Sequence, residues 1–151
     1  MPCDVEDGKA YFPFSCSSRN FVAFVFGTIV RQKGRCNLMQ VINQTRGCTL
    51  AEHGWFAENP FTRMVGLLGK RRFPEGGALI LRPCSGIHML GMRFAIDALY
   101  LDARGRVVRA VRSLAPWRIG PLDPTTECVI EMPAGTINAS GTVEGDEIAL
   151  S

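Results

Sequence analysis

None of the six cysteines, at positions 3, 16, 36, 48, 84 and 128, forms a C-x-x-C pair. That removes the usual frameworks of a structural zinc site and of a thioredoxin-like redox centre. Histidine is nearly absent, with only His53 and His88. A metal set drawn from Cys84, His88 and Glu131 contains no ligand pair at helix spacing, so no metal is expected. There is no glycine-rich phosphate loop and no dinucleotide fingerprint, which argues against the common nucleotide cofactors and leaves any cofactor undefined. The apolar run at residues 21–30 is too short for a membrane helix, which needs about 20 residues, so no integral membrane segment is expected. Basic residues are scattered except for Lys70, Arg71 and Arg72. Beside Phe73 and Pro74 these read as a solvated loop, and no aromatic-interleaved basic stripe follows, so nucleic-acid binding is not expected.

What is present has ordinary globular composition: 151 residues, 46% hydrophobic and 21% charged, with a formal net charge of +3. That length suits one domain with a single hydrophobic core. A chain of this size holds together without a disulfide framework, so reduced thiols in a cytoplasmic protein are expected, although the run at 21–30 leaves export open. Residues 1–38 lack clean alternation and read as an N-terminal extension, poorly structured or an overextended start, in which residues 21–30 have strand-forming composition. Residues 39–151 read as a single β-rich domain.

Within that domain, residues 38–42 and 48–50 read as short strands across a polar turn. Phe61, Met64, Val65 and Leu68 follow the i, i+3, i+4, i+7 spacing of a helix face. Asn59 is its N-cap, Pro60 lies in its first turn and Gly69 at its end. Residues 78–81, 87–92, 95–102, 106–113, 127–132 and 147–150 read as strands, and 133–140 as a short helical turn. Ala103, Arg104 and Gly105 form a three-residue hairpin loop with Gly105 in the left-handed position. Residues 114–125, with three prolines, read as a loop. The expected class is α+β: a compact domain with a mostly antiparallel, strongly curved or barrel-like sheet and one main helix.

Several motifs in order carry a family resemblance. They are Val65-Gly66-Leu67-Leu68-Gly69, Ile87-His88, Gly91-Met92-Arg93-Phe94, Ile96-Asp97, Tyr100-Leu101-Asp102, Gly105-Arg106-Val107-Val108, Pro116, Glu131-Met132-Pro133-Ala134-Gly135 and Gly145-Asp146. Over about residues 39–150 the chain resembles the uncharacterised family called domain of unknown function 192. The resemblance implies a small β-rich domain and brings no activity or ligand. Ala95 stands where many members have proline, which leaves that strand entry less rigid.

The polar residues inside apolar surroundings at residues 84–102 are the first place to look for a site, because an unpaired buried polar group costs about 1–3 kcal/mol. His88, Arg93 and Asp97 suit an anion clamp or a general base oriented by a carboxylate; the structural alternative is an internal Arg93–Asp97 ion pair. Cys84 with His88 suits a nucleophile and base, against a buried thiol acting as a small hydrophobe. Trp117, between Pro116 and Arg118, suits a lid or stacking surface, or a cover for the open end of the sheet. Glu131 suits a partner for Arg93 or a cap for the helical turn after it. The candidate ligand-binding set is therefore His88, Arg93, Asp97, Trp117 and Glu131. The expected function is a soluble accessory or binding module for a small ligand or a protein partner. The alternative is a small acid-base hydrolase using His88 with Asp97 or Cys84, and no catalytic residue is assigned.

Overall fold

The computed structural model describes residues 21–25, 28–32, 39–57, 67 and 70–151. The chain divides into two units, Met1–Asn37 and Leu38–Ser151. In the first, β1 (Phe21–Val25) and β2 (Thr28–Gln32) pair antiparallel with Val25 opposite Thr28. The apolar run that reads as one strand is thus two arms of a hairpin. The helix expected around Phe61, Met64, Val65 and Leu68, with Asn59, Pro60 and Gly69 at its ends, lies outside the described residues.

The second unit is built from strands. They are β3 (Met39–Asn43), β4 (Cys48–Phe56), β5 (Gly77–Leu81), β6 (Gly86–His88), β7 (Ile96–Leu101), β8 (Val107–Leu114), β9 (Ile119–Leu122), β10 (Cys128–Pro133) and β11 (Ile148–Leu150). The one helix among the described residues is α1 (Thr136–Ser140). The class is therefore β-rich, and "α+β" overstates the described helix content.

Seven strands form one sheet in the order β11-β3-β4-β5-β10-β7-β8, antiparallel throughout except for the β4–β5 pair. Its two edge strands meet at one corner. Arg106 and Glu147 form an antiparallel bridge, the Val107 N–H donates to the Asp146 carbonyl at 2.8 Å, and the Ile148 N–H donates to the Gly105 carbonyl at 2.9 Å. A sheet whose edges are brought together this way is strongly curled. The Ala103–Gly105 loop forms as its sequence requires: Gly105 has φ 81°, and the Asp102 carboxylate accepts from the N–H groups of Arg104 and Arg106.

Two apolar clusters replace the single core expected from length. Alternation along the central strands separates them, since successive side chains leave a strand on opposite faces. Ala78, Ile80, Leu99, Leu101, Cys128, Ile130 and Met132 join one cluster with Val41, Leu50 and Ile137. Leu79, Leu81, Ile96, Ala98, Tyr100 and Val129 join the other with Phe73, Ile87, Met89 and Met92. Strands β5, β7 and β10 are thus covered on both faces, which explains why their sequences run apolar without alternating.

A buried polar latch ties β3 to the last turn. The Asn43 amide donates to Thr142 Oγ1 at 3.0 Å and to Asp146 Oδ2 at 2.9 Å, and its oxygen accepts from the Arg46 N–H. Burial works against the charge of Asp146, but hydrogen bonds from Asn43, Arg46 and Val143 hold its carboxyl below the usual range. Replacing Asn43→Ala leaves buried acceptors short of a donor and is expected to lower stability by about 2 kcal/mol. Urea unfolding measures this, and a loss below about 0.5 kcal/mol would contradict the latch.

Candidate functional site

Strands β6 and β9 form a separate two-stranded sheet, with Gly86 opposite Leu122 and His88 opposite Ile119. β9 lies in the segment that reads as a proline-rich loop. Pro121 lacks a donor and is tolerated because a two-stranded sheet is all edge. Residues 87–92 do not continue as one strand: β6 stops at His88, and the Met92 N–H closes a turn onto the Met89 carbonyl, with Gly91 at φ 79°.

The inner side of this small sheet covers Tyr100. A side chain at Gly120 would place its Cβ 2.6 Å from the Tyr100 hydroxyl, so only glycine allows β9 to lie this close. Ile87 and Met89 pack into the same apolar cluster. The outer side carries His88, which is exposed, and the side chains of Ile119 and Leu122, which are 75% and 79% exposed. Leu122 Cδ1 lies 3.0 Å from where a Gly86 Cβ would stand, placing the leucine on the outward face of β6.

At the end of this sheet the chain crosses itself twice. The Met89 N–H donates to the Arg118 carbonyl at 2.7 Å, and the Trp117 N–H donates to the Met89 carbonyl at 2.9 Å. These bonds hold Trp117 at φ 63°, a left-handed conformation costing a bulky side chain about 1–2 kcal/mol. Trp117 is 69% exposed, and Leu90 is 47% exposed. Trp117 therefore stands out from the surface and does not close the end of the large sheet. Arg93 and Arg118 are exposed, and neither belongs to an ion pair among the described residues.

Asp97 and Glu131 lie elsewhere. Asp97, on β7, is 0% exposed and is not paired with Arg93. One carboxylate oxygen accepts from the Ser113 N–H at 2.8 Å; the other accepts from the N–H groups of Gly135 and Ile137 at 3.0 and 2.8 Å. It thus caps α1 from another strand, the task the sequence suggested for Glu131. Glu131, on β10, lies opposite Leu79 and Ala98 in the ladders and points to the same side of the sheet as Tyr100. It is 8% exposed, with no hydrogen bond or ion pair from the described residues, and burial pushes its carboxyl up to about 7. The Tyr100 hydroxyl is likewise buried and makes no well-formed hydrogen bond among the described residues, with the Ile87 backbone close enough to offset part of the effect of burial. Burial first, then the nearby Cys84 and Glu131, push it up to about 12.

The hydrolase alternative needs His88 beside Asp97 or Cys84. Asp97 is occupied by backbone amides, and the Cys84 thiol donates to the Gly86 carbonyl at 3.1 Å. No hydrogen bond joins His88 to either residue among the described contacts. Cys84, His88 and Glu131 do not assemble into a metal-ligand group among the described residues. His53 lies on β4, exposed. His88 and Trp117 thus lie on the small outer sheet and its turn, Arg93 is exposed just beyond the Met89–Met92 turn, and Asp97 and Glu131 are buried on β7 and β10. Leu90, Ile119 and Leu122 escape sequence reasoning because an apolar residue beside a strand reads as core; Pro121 between the last two is the one local sign of an edge.

Comparison with known proteins agrees with the fold. The model of the DUF192 family, described as an uncharacterized ACR, matches residues 41–150. A UPF0127 protein of Pyrococcus furiosus is 28% identical over 113 residues, covering 72% of this chain and 95% of that protein. Another UPF0127 protein, from Thermococcus gammatolerans, is 31% identical over 113 residues, covering 72% of this chain and 73% of its own length. The crystal structure of a protein of unknown function from Novosphingobium aromaticivorans is similar with a TM-score of 0.65 at 17% identity, covering 94% of this chain and 99% of that one. At that identity the likeness concerns the fold alone.

Proposed function

The chain belongs to the uncharacterised DUF192 family, and on that premise we propose that it is a non-catalytic docking module that engages its target through the outer face of β6 and β9 with the Trp117 turn. One observation carries this reading: Leu90, Trp117, Ile119 and Leu122 are four of the six exposed large hydrophobic side chains among the described residues, and all four fall on this one element. Single exposed apolar residues need no explanation, but a group of them marks an interaction surface. His88, Arg93 and Arg118 supply the polar rim, and the strained Trp117 backbone fits a side chain held outward for contact. Side chains that stand out this far suit a broad surface better than a small ligand, which is bound in a concavity.

In-cell photo-crosslinking tests this. A photoreactive side chain at Ile119 is expected to capture a host component, protein or lipid, while the same group at exposed Glu144, away from this sheet, captures none. Equal capture at both positions, or none at Ile119, would contradict the assignment.

A further inference from the structure

We infer that the target of this face is an anionic lipid surface, on which the domain sits peripherally. This inference rests on the docking reading above. Three features of the face point to it. First, Trp117, Ile119 and Leu122 protrude; a fluid interface accepts protruding apolar side chains without a shaped partner, whereas protein anchors need pockets to fill. Second, a tryptophan at the tip matches the preference of its amphipathic ring for the headgroup region. Third, the charged groups around it are basic. Arg118 is flanked in sequence by Trp117 and Ile119, and Arg93 leaves the turn that carries Leu90; neither is neutralised by a carboxylate among the described residues. The acid closest in sequence, Asp123 after Leu122, is held by Thr125 and lies 3.9 Å from Arg109.

A second copy of this chain fits the face poorly. A two-fold contact sets the same patch against itself, and the charged groups of this patch, Arg93 and Arg118, carry one sign. Anionic headgroups complement the same residues. No described helix is long and apolar enough to cross a membrane, so the contact is one of surface side chains.

The test is co-sedimentation of the full chain with phosphatidylcholine vesicles, with and without phosphatidylglycerol, together with tryptophan emission. Binding at least tenfold tighter to the anionic vesicles is expected, weakening as salt screens the charges. It should be accompanied by a blue shift that Trp117→Phe removes, because Trp55 belongs to an internal aromatic group with Phe73. Arg93→Gln with Arg118→Gln should weaken binding at least tenfold, and Trp117→Ser with Ile119→Ser and Leu122→Ser should abolish it, with Tm within a few degrees of the parent's in both variants. Equal affinity for the two vesicle types, or undiminished binding by the triple variant, would overturn the inference. Capture of a protein from Ile119 together with no vesicle binding overturns the lipid target and keeps the docking face; absence of both overturns the two together.

Discussion

Replacing Asp97→Ala is expected to lower the unfolding free energy by roughly 4 kcal/mol, since an N–H left without an acceptor away from water costs about 1–3 kcal/mol and three depend on this carboxylate, one buried and two partly buried. The three belong to Ser113, Gly135 and Ile137, so one side chain joins β7 to the end of β8 and to the start of α1. Gly135 has no side chain to cap the helix itself, and Ser113 sits at φ 50°, a conformation its bond to Asp97 helps to hold. Asp97→Asn retains one acceptor oxygen and should lose roughly half as much. Urea unfolding gives both values. A loss below about 1 kcal/mol for the alanine variant would show that water or backbone rearrangement replaces the carboxylate.

The second large effect concerns Glu131. Its folded carboxyl is pushed up to about 7 from an ordinary 4.5. Below the unfolded value the group is protonated in both states and has no pH effect. As pH rises from about 4.5 to about 7, the unfolded chain ionises first and stability falls; above the folded value the penalty is constant. At about 1.4 kcal/mol per pH unit this reaches roughly 3 kcal/mol. Glu131→Gln, which cannot ionise, is therefore expected to be more stable than the parent by roughly that amount at pH 8 and nearly equal to it at pH 4. Unfolding of both proteins across this range tests it. Parallel stability curves would mean that Glu131 is solvated or paired in the folded state. The neighbouring Tyr100 hydroxyl stays protonated throughout and adds no slope here.

The same residues indicate how much the sequence can disclose. The Ala103–Gly105 hairpin was legible because a left-handed glycine and the flanking Asp102 are local signals. The strands around Ala78, Ile130 and Leu99 were legible from apolar runs, but that they separate two cores depends on what covers each face. Asp97 could be recognised as a buried acid in need of partners. Which partners it has could not be read, since the amides it accepts from lie 16, 38 and 40 residues further on. β9 was hidden because Pro121 argues against a strand in any sheet interior, and only the edge position permits it. The region of His88, Arg93 and Trp117 was legible as a place to look. Its apolar companions were not, because exposure is a property of the assembled layers: Gly120 lets β9 lie flat on Tyr100, and this turns Ile119 and Leu122 outward.

These results divide the polar residues by task. Asp97 and the Asn43–Asp146 latch hold the curled sheet together, and Glu131 is a buried acid whose cost in stability grows from about pH 4.5 and is complete above about pH 7. The inner side of the small sheet belongs to the core, with Ile87 and Met89 packed beside Tyr100, and its outer side is the face we propose for docking. The most direct test of that division compares the parent with the Trp117→Ser, Ile119→Ser, Leu122→Ser variant by sedimentation in a native host extract, with thermal unfolding measured on the same two proteins. Exposed substitutions such as those at Ile119 and Leu122 each change stability by only about 0.5 kcal/mol or less, and at Trp117, held at φ 63°, serine removes a bulky side chain from a left-handed backbone. The variant is expected to keep the parent's Tm to within a few degrees and to sediment alone, while the parent sediments with a larger host component. Identical sedimentation of the two, or a collapse in the variant's Tm, would contradict it.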